Sequence, residues 1–303
     1  MAERPGHRPD FAAYVKEFFE ASLLLSLLTS LVGVAVAAVG GPVKPGYAAL
    51  SVLGTILVQA SVNLVNDYFD FSSGIDQETV KTPFSGGSKL LVSGRVSPRG
   101  VLTLGLATAA AAAGIGIYLA LVVSLYLFLL AAFGGIAIIL YSRVIVRVPM
   151  AAEPFVMLSF ILEGIGCYIV AHGGVSGLAL AAFVIVPAGM LGGITLLVNE
   201  VPDTPVDAKH GRRHAVVLLG TMRKVSGYYL ALMATTYVVL LAGVFTGAIP
   251  SRFLTGLLTL PIALYVALGI LRYSGPQGYE RTMATQAGGV VLYLGLLVAG
   301  AML

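Results

Sequence analysis

The sequence is poor in charged residues and has almost no cysteine. Only 11% of its 303 residues are Asp, Glu, Lys or Arg, whereas about a quarter of a soluble domain is charged, so a soluble globular domain is excluded. The single cysteine, Cys167, excludes a disulfide framework and any metal site built from several cysteines. The lipid bilayer is therefore the environment to consider first.

The sequence instead contains long apolar runs. A membrane-spanning helix needs about 20 apolar residues, and nine runs predict such helices. Their residues are 18–39, 47–65, 101–121, 125–141, 154–171, 178–198, 227–248, 253–271 and 283–303. The runs are unbroken rather than alternating, so they predict helices and not a transmembrane barrel. We expect an all-α membrane protein whose residues 1–303 form one transmembrane domain, because little sequence is left for another.

Basic residues are concentrated in alternate connections. All but Lys44 and Arg252 of the 18 Lys and Arg lie in the N-terminal segment or after the second, fourth, sixth or eighth run. The positive-inside rule then predicts a cytoplasmic N-terminus and, with an odd number of spans, places Leu303 outside. All acidic residues except Glu153 and Glu163 are assigned to the cytoplasmic side. The first fifteen residues are charged and lack a small-residue cleavage site, so we expect no removed signal peptide.

An internal repeat links two of the predicted spans. The pattern L-V-N-[DE]-x-x-D occurs at residues 64–70 and again at residues 197–203. Both copies close even-numbered runs, so they reach the same membrane face and indicate a parallel duplication. This predicts two four-helix units, at about residues 17–142 and 150–272, and a ninth helix at about 283–303, in a bundle around a central cavity.

Polar residues follow the first copy of the repeat along one helix face. Asn66 and Asp70 are four residues apart, and Gln59 and Asn63 extend the same stripe into the membrane. A single acidic pair at the end of a span is often only a solvated cap. The matching second copy makes a functional site the favoured interpretation.

The second copy supplies the same residue types. Asn199 and Asp203 are four apart, and Asp207 lies one turn further on if the helix continues past Pro202. Two carboxylate clusters with nearby amides form a ligand set of oxygen atoms only. Such a set suits Mg²⁺, which binds one or two carboxylates and completes its coordination with water and phosphate oxygens.

The connections after both clusters are basic and contain glycine. The first contains Asp76 and Gly86-Gly87-Ser88-Lys89, and the second contains Lys209 and Gly211-Arg212-Arg213. Each alone is an ordinary cytoplasmic loop, but beside two acidic clusters they indicate a diphosphate site, since Lys and Arg bind phosphate oxygens. Neither loop has the G-x-x-x-x-G-K-[ST] pattern, so ATP hydrolysis is not indicated. An isoprenyl diphosphate combines such a head group with a hydrocarbon tail that suits an apolar cavity.

Both motifs resemble those of the UbiA superfamily of membrane prenyltransferases. The first runs from Asn63 to Asp76 and is most similar to the branch that prenylates 1,4-dihydroxy-2-naphthoate; the second runs from Asn199 through Asp207. The resemblance implies nine helices around a cavity open to lipid, and Mg²⁺-dependent polyprenyl transfer to an aromatic quinone precursor of the dihydroxynaphthoate or 4-hydroxybenzoate type. It also implies a donor of geranylgeranyl length or longer, with no nucleic acid and no obligate protein partner.

The resemblance further implies the roles of individual residues. Two Mg²⁺ ions would be bound among Asn66, Asp70, Asp76, Asn199, Asp203 and Asp207, of which Asn66, Asp70, Asp203 and Asp207 are the catalytic candidates. Asn63, Asn199, Lys89 and Lys209 would contact the substrate, the two lysines near the diphosphate.

Three further residues are substrate-binding candidates with alternative explanations. Glu163 in the middle of the fifth run is either a group that binds the acceptor or a hydrogen-bonded packing residue. Tyr141 and Arg143 either reach the substrates or anchor the helix at the membrane interface. His210 and His214 are interpreted as solvated side chains, because the sequence offers no third nitrogen or sulfur ligand.

Other functions are weighed against a prenyltransferase of quinone synthesis. An ether-lipid enzyme that prenylates geranylgeranylglyceryl phosphate would share both motifs. A secondary transporter would bind near the midplane, often between inverted repeats, whereas this repeat is parallel and its acids lie at the membrane rim. A phospholipid head-group transferase would show a D-G-x-x-A-R run, which is absent.

Overall fold

Residues 10–18 and 21–303 are described by a computed structural model, and all regular elements in this part of the chain are helical. The helices α1 to α13, in chain order, are Phe11–Phe18, Ala21–Val39, Pro45–Ser73, Ile75–Glu78, Pro98–Val122, Leu127–Arg143, Ala152–His172, Leu178–Glu200, Thr204–Lys209, Ala215–Leu219, Met222–Phe245, Leu260–Leu271 and Pro276–Met302. Two 3₁₀ segments are Ile145–Arg147 and Ser251–Thr259. Most of the charged N-terminal segment and residues 19–20 of the first predicted span lie outside the described residues.

Eight segments of the described chain are long and apolar enough to cross a bilayer. They belong to α2, α3, α5, α7, α8, α11, α13 and the continuous stretch Ser251–Leu271, which joins a 3₁₀ segment to α12. The apolar helix α6, at the fourth predicted run, has only 17 residues. The chain is therefore an integral, multi-pass membrane protein.

The observed helix ends place both acidic motifs. Helix α3 continues past the predicted end at residue 65 as far as Ser73, so Asn66 and Asp70 are held by a helix and not by a loop. Helix α8 ends at Glu200 and does not continue past Pro202, which has no backbone N–H with which to extend the helix. Asp207 consequently lies on the separate short helix α9.

Glycines allow three of the long helices to pack closely. A methyl group on Gly33 of α2 would lie 2.2 Å from the carbonyl oxygen of Gly164 on α7, and one on Gly193 of α8 would lie 2.3 Å from the carbonyl oxygen of Glu153. Small residues at helix crossings are the usual means of close packing within membranes. Helix α7 is thus fixed between α2 and α8, with its first turn beside the end of α8.

Candidate active site

A cavity of about 630 Å³ lies among α2, α3, α5, α6, α7, α8 and α13. Most of its wall is apolar and includes Leu28, Val58, Leu130 and Phe133. One wall differs, because α3 places a polar side chain on it every three or four residues. These side chains are Ser51, Thr55, Gln59, Asn63 and Asn66. The cavity therefore has a polar stripe along α3 that leads to the first acidic motif, within a wall that is mostly apolar.

The first motif forms a small hydrogen-bond network at the end of α3. The side-chain amide of Asn66 donates to Oδ2 of Asp70 at 3.0 Å, across one helical turn. The hydroxyl of Ser142 on α6 donates to Oδ1 of Asn66 at 2.8 Å. Further into the membrane, Gln59 donates to Asn63 at 2.9 Å, and Asn63 donates to Ser22 of α2. These bonds fix the orientation of the amides that line the cavity.

Arg212 joins the two acidic motifs. Its guanidinium forms an ion pair with Asp70, and its Nη1 atom lies 3.4 Å from Oδ1 of Asp207. Burial alone would lower the pKa of Arg212, but the two carboxylates raise it above its usual value. Carboxylates of the two acidic motifs therefore meet around one permanently charged side chain.

The connection after the first motif reaches the second motif. The backbone N–H of Gly86 donates to Oδ2 of Asp203 at 3.1 Å. A methyl group on Gly87 would lie 2.9 Å from Oδ1 of Asp76, and the φ of Gly87 is +66°, so only glycine allows this approach without strain. Burial, together with the nearby Asp207 carboxylate, raises the pKa of Asp203 to about 7.

Lys89 lies at the centre of this connection. Its ammonium donates to the carbonyl oxygen of Thr79 at 2.9 Å, to the Thr79 hydroxyl at 2.7 Å and to the carbonyl oxygen of Asp76. Burial lowers its pKa, although the carboxylates of Asp76 and Asp203 act in the opposite direction. The side chain thus places a positive charge between the two acidic motifs.

Other candidates from the sequence are found at different distances from this centre. Asn199, Tyr141 and Glu163 line the cavity. The Tyr141 ring stacks on Phe155 with 6.3 Å between centroids, and Glu163 accepts a hydrogen bond from Ser26 of α2.

Two basic candidates lie further out. Arg143 is exposed, and its guanidinium covers the ring of Phe69 at 4.3 Å from the centroid. Lys209 is exposed and bonds Glu78 at 2.6 Å, which lowers the pKa of Glu78.

Sequence reasoning assigned two residues wrongly. His214 is not solvated: it is 2% exposed and lies between Asp207 and Glu200. Glu153 was placed apart from the other acids, yet it stands in the first turn of α7, at the same end of the bundle as both motifs. Its carboxylate accepts the backbone N–H of Ala215 at 2.7 Å. The sequence position of Glu153 could have predicted its location. It follows a connection assigned to the cytoplasm and directly precedes the fifth run.

The chain is similar to known proteins over most of its length. Residues 26–297 match the sequence model of the UbiA prenyltransferase family. A 1,4-dihydroxy-2-naphthoate octaprenyltransferase of Bacillus subtilis (strain 168) is 24% identical over 261 residues, which cover 80% of this chain and 78% of that protein.

Two solved structures share the fold. A UbiA homolog from Aeropyrum pernix K1 superposes with a TM-score of 0.73 at 18% identity, covering 93% of this chain and 98% of that one. A UbiA homolog from Archaeoglobus fulgidus bound to GPP and Mg²⁺ superposes with a TM-score of 0.63 at 15% identity, covering 95% of this chain and 99% of that one.

Proposed function

We propose that this chain, which belongs to the UbiA prenyltransferase family and is a prenyltransferase, transfers a polyprenyl group from an isoprenyl diphosphate to an aromatic quinone precursor of the dihydroxynaphthoate or 4-hydroxybenzoate type. The observation that carries this proposal is the meeting of two acidic motifs, two basic connections and an apolar cavity at one end of the bundle. The matched Bacillus protein, by its name, favours the naphthoate acceptor. The donor is of geranylgeranyl length or longer.

Mg²⁺ fits the residues at this end of the bundle. The proposed ligands offer only carboxylate and amide oxygens, the donors that Mg²⁺ prefers. Oδ1 of Asp207 is buried and, among the described residues, makes no hydrogen bond, although Nη1 of Arg212 lies 3.4 Å away. Two ions would be held by Asn66, Asp70, Asp76, Asn199, Asp203 and Asp207. When bound, Mg²⁺ neutralises charge on the diphosphate and stabilises it as a leaving group. The Archaeoglobus homolog, which was bound to GPP and Mg²⁺, supports the choice of Mg²⁺ as the metal ion.

The chain's own cations and N–H groups complete the head-group site. Lys89 and Arg212 lie beside the acidic motifs and supply positive charge for phosphate oxygens. Gly86 and Gly87 let the backbone approach closely. Lys209 is proposed to act at the rim, where its bond to Glu78 links the two connections.

The cavity contributes by excluding water and placing the acceptor. Breaking the allylic carbon–oxygen bond releases pyrophosphate and leaves a carbocation, which a ring carbon ortho to an acceptor hydroxyl attacks before losing its proton. Apolar walls keep water from this cation. Asn63, Tyr141 and Glu163 line the cavity and are proposed to orient the substrates. Arg143, which is exposed and covers the ring of Phe69, is proposed to bind substrate from outside the cavity lining.

The charge distribution supports one orientation in the membrane. We place the N-terminus and the connections that bear both motifs in the cytoplasm and the C-terminus outside, with nine spans in two parallel four-helix units and a ninth helix. This arrangement gives a water-soluble diphosphate head group access from the cytoplasm and its tail access from the lipid.

The direct test is product formation by the purified, detergent-solubilised protein. Geranylgeranyl diphosphate would be supplied with Mg²⁺ or with EDTA, against dihydroxynaphthoate, 4-hydroxybenzoate and geranylgeranylglyceryl phosphate. We expect a prenylated aromatic product only with Mg²⁺. A product with the glyceryl phosphate alone would identify an ether-lipid enzyme, and the absence of both product and donor binding would overturn the proposal in favour of transport.

A further inference from the structure

A second polar cluster lies behind the acidic motifs, outside the ligand set proposed for Mg²⁺. One carboxylate oxygen of Glu153, one of Glu200 and one ring nitrogen of His214 all lie within 4.8 Å of one another. They come from three different elements: the first turn of α7, the end of α8 and the residue before α10. The close packing of α7 on α8 at Gly193 brings the two glutamates together.

This cluster is buried and its polar atoms are incompletely satisfied. Glu153 is fully buried, His214 is 2% exposed and Glu200 is 9% exposed. Among the described residues, Oε2 of Glu153, Oε2 of Glu200 and Nδ1 of His214 accept or donate no hydrogen bond. Nδ1 of His214 lies 3.3 Å from Oε2 of Glu200, within ion-pair distance when the imidazole is protonated, so these atoms face the same small volume. Buried polar atoms without partners are costly, and an ion within the cluster would satisfy all three.

The charges around the cluster favour a cation, which protons on His214 or between the glutamates supply when no metal ion is bound. Glu153, Glu200 and Asp207 contribute three carboxylates, while the Arg212 guanidinium reaches only Asp207 and is shared with Asp70. The backbone N–H of Ala215 binds the other oxygen of Glu153 but adds no full charge. Buried carboxylates without nearby cations must share protons or bind a metal ion.

The geometry around His214 is that of a metal ligand. Its Nε2 atom lies 3.1 Å from Oδ2 of Asp207, which would fix the ring so that Nδ1 faces the two glutamates. A carboxylate on the far nitrogen is the usual outer partner of a metal-bound histidine. Ligand atoms at about 2.1 Å from one ion lie no more than about 4.2 Å apart, so the observed spacing needs only small side-chain adjustments.

We propose that Glu153, Glu200 and His214 form a buried site for one divalent transition-metal ion. An imidazole nitrogen with two carboxylates suits Zn²⁺ and its neighbours, whereas Mg²⁺ prefers oxygen ligands alone. The site goes beyond the proposed prenyl transfer and is separate from the diphosphate. The transition-metal site is nevertheless in contact with the proposed Mg²⁺ site, because His214 contacts Asp207, a proposed Mg²⁺ ligand. A bound ion would thereby fix the position of Asp207.

The test is Zn²⁺ retention by the purified full-length protein without diphosphate. After exposure to Zn²⁺ and removal of free ion, we expect about one tightly held ion per chain by mass spectrometry of the metal. His214→Gln and Glu153→Gln should each raise the Kd for Zn²⁺ by more than about 100-fold, since loss even of an outer partner costs about 10- to 100-fold.

Matched variants separate this site from its surroundings. His210→Gln removes a histidine of the same connection that contacts Glu78 instead, and it should retain the ion. Asp203→Asn alters the proposed Mg²⁺ site and should also retain Zn²⁺. Zn²⁺ retention therefore tests the second metal site independently of the prenyltransferase assignment. Thermal unfolding of each variant with EDTA checks that it is folded. Equal Zn²⁺ retention by wild type, His214→Gln and Glu153→Gln, or no retention by the wild type, would overturn the proposal and leave shared protons as the counterions.

Discussion

The carboxylates of Asp70 and Asp207 are held together by one guanidinium, that of Arg212. Asp70 belongs to the first copy of the repeated pattern and Asp207 follows the second, so this contact joins the two acidic motifs. Two carboxylates at close range repel each other unless a cation lies between them. Arg212 supplies that charge permanently, and bound divalent ions would supplement it.

Replacement of Arg212 by alanine should weaken the fold most when divalent ions are absent. In EDTA we expect Arg212→Ala to lower the free energy of unfolding by about 1.5–3 kcal/mol, the range for hydrogen bonds to charged groups. Mg²⁺ should recover part of this loss, because it also neutralises the carboxylates. Thermal unfolding in detergent with EDTA or Mg²⁺ measures both effects.

The neighbouring Arg213 provides the control for this prediction. Its side chain is exposed, and its backbone makes the contacts to Met150 and Val146. Arg213→Ala should therefore change the stability by less than about 0.5 kcal/mol. Equal losses in the two variants would contradict a bridging role for Arg212.

Much of the helical architecture could be predicted from the apolar runs. They are long and unbroken, and charged residues are concentrated in alternate connections between them, which is why helices appear near all nine. The ends were harder to predict: α3 extends to Ser73 and α13 begins at Pro276, because these helices continue through polar residues beyond the apolar run. Hydropathy marks the part of a helix that suits lipid, not the part that is hydrogen-bonded.

The site was predictable in its residue types but not in its pairings. The repeated motif predicted Asn66, Asp70, Asn199 and Asp203 as site residues because polar residues are rare in this sequence. The motif could not show that Arg212 bridges the two acidic motifs or that Lys209 forms an ion pair with Glu78. Those contacts depend on how separate connections fold over one another. Contacts between separate connections leave no periodic pattern in the sequence from which they could be predicted.

Loss of a carboxylate from either motif should abolish most turnover. We expect Asp70→Asn and Asp203→Asn each to reduce kcat/KM by more than about 100-fold, since each removes a proposed metal ligand. Asn keeps the size of the side chain and one oxygen, so folding should be preserved. The assay is initial-rate product formation at saturating Mg²⁺.

Asp10→Asn is the matched control for these two variants. Asp10 is an acidic residue paired with the exposed Arg95, and both belong to the periphery. Its replacement should leave kcat/KM within about two-fold, because exposed ion pairs contribute little. Near-normal activity in both Asp70→Asn and Asp203→Asn would refute the assignment of the metal ligands.

The two candidate lysines should differ strongly in their effect on the donor. Lys89 is partly buried between Asp76 and Asp203, whereas Lys209 is exposed and bound to Glu78. We expect Lys89→Ala to raise the KM for the isoprenyl diphosphate by about 10- to 100-fold, corresponding to a lost charge-assisted contact of about 1.4–2.7 kcal/mol. Lys209→Ala should raise it by less than about five-fold.

Steady-state kinetics over a range of donor concentrations separates these effects on KM from effects on kcat. Because Lys89 also binds Thr79 and the carbonyl oxygen of Asp76, thermal unfolding must accompany the kinetics. A larger increase in KM for Lys209→Ala than for Lys89→Ala would show that the rim, and not the buried lysine, binds the diphosphate.

The crossing of α2 and α7 offers a prediction about stability that is independent of chemistry. A methyl group on Gly33 would lie 2.2 Å from a backbone oxygen of Gly164, whereas one on Gly114 of α5 would meet no atom within 4 Å. Gly33→Ala must therefore separate two helices that both line the cavity, and we expect it to cost about 1–3 kcal/mol. Gly114→Ala should be neutral or stabilise the protein by up to about 1 kcal/mol, because alanine restricts the unfolded chain more than glycine. Thermal unfolding of the two variants in one detergent compares them directly, and equal stability would show that the α2–α7 crossing is looser than the structure indicates.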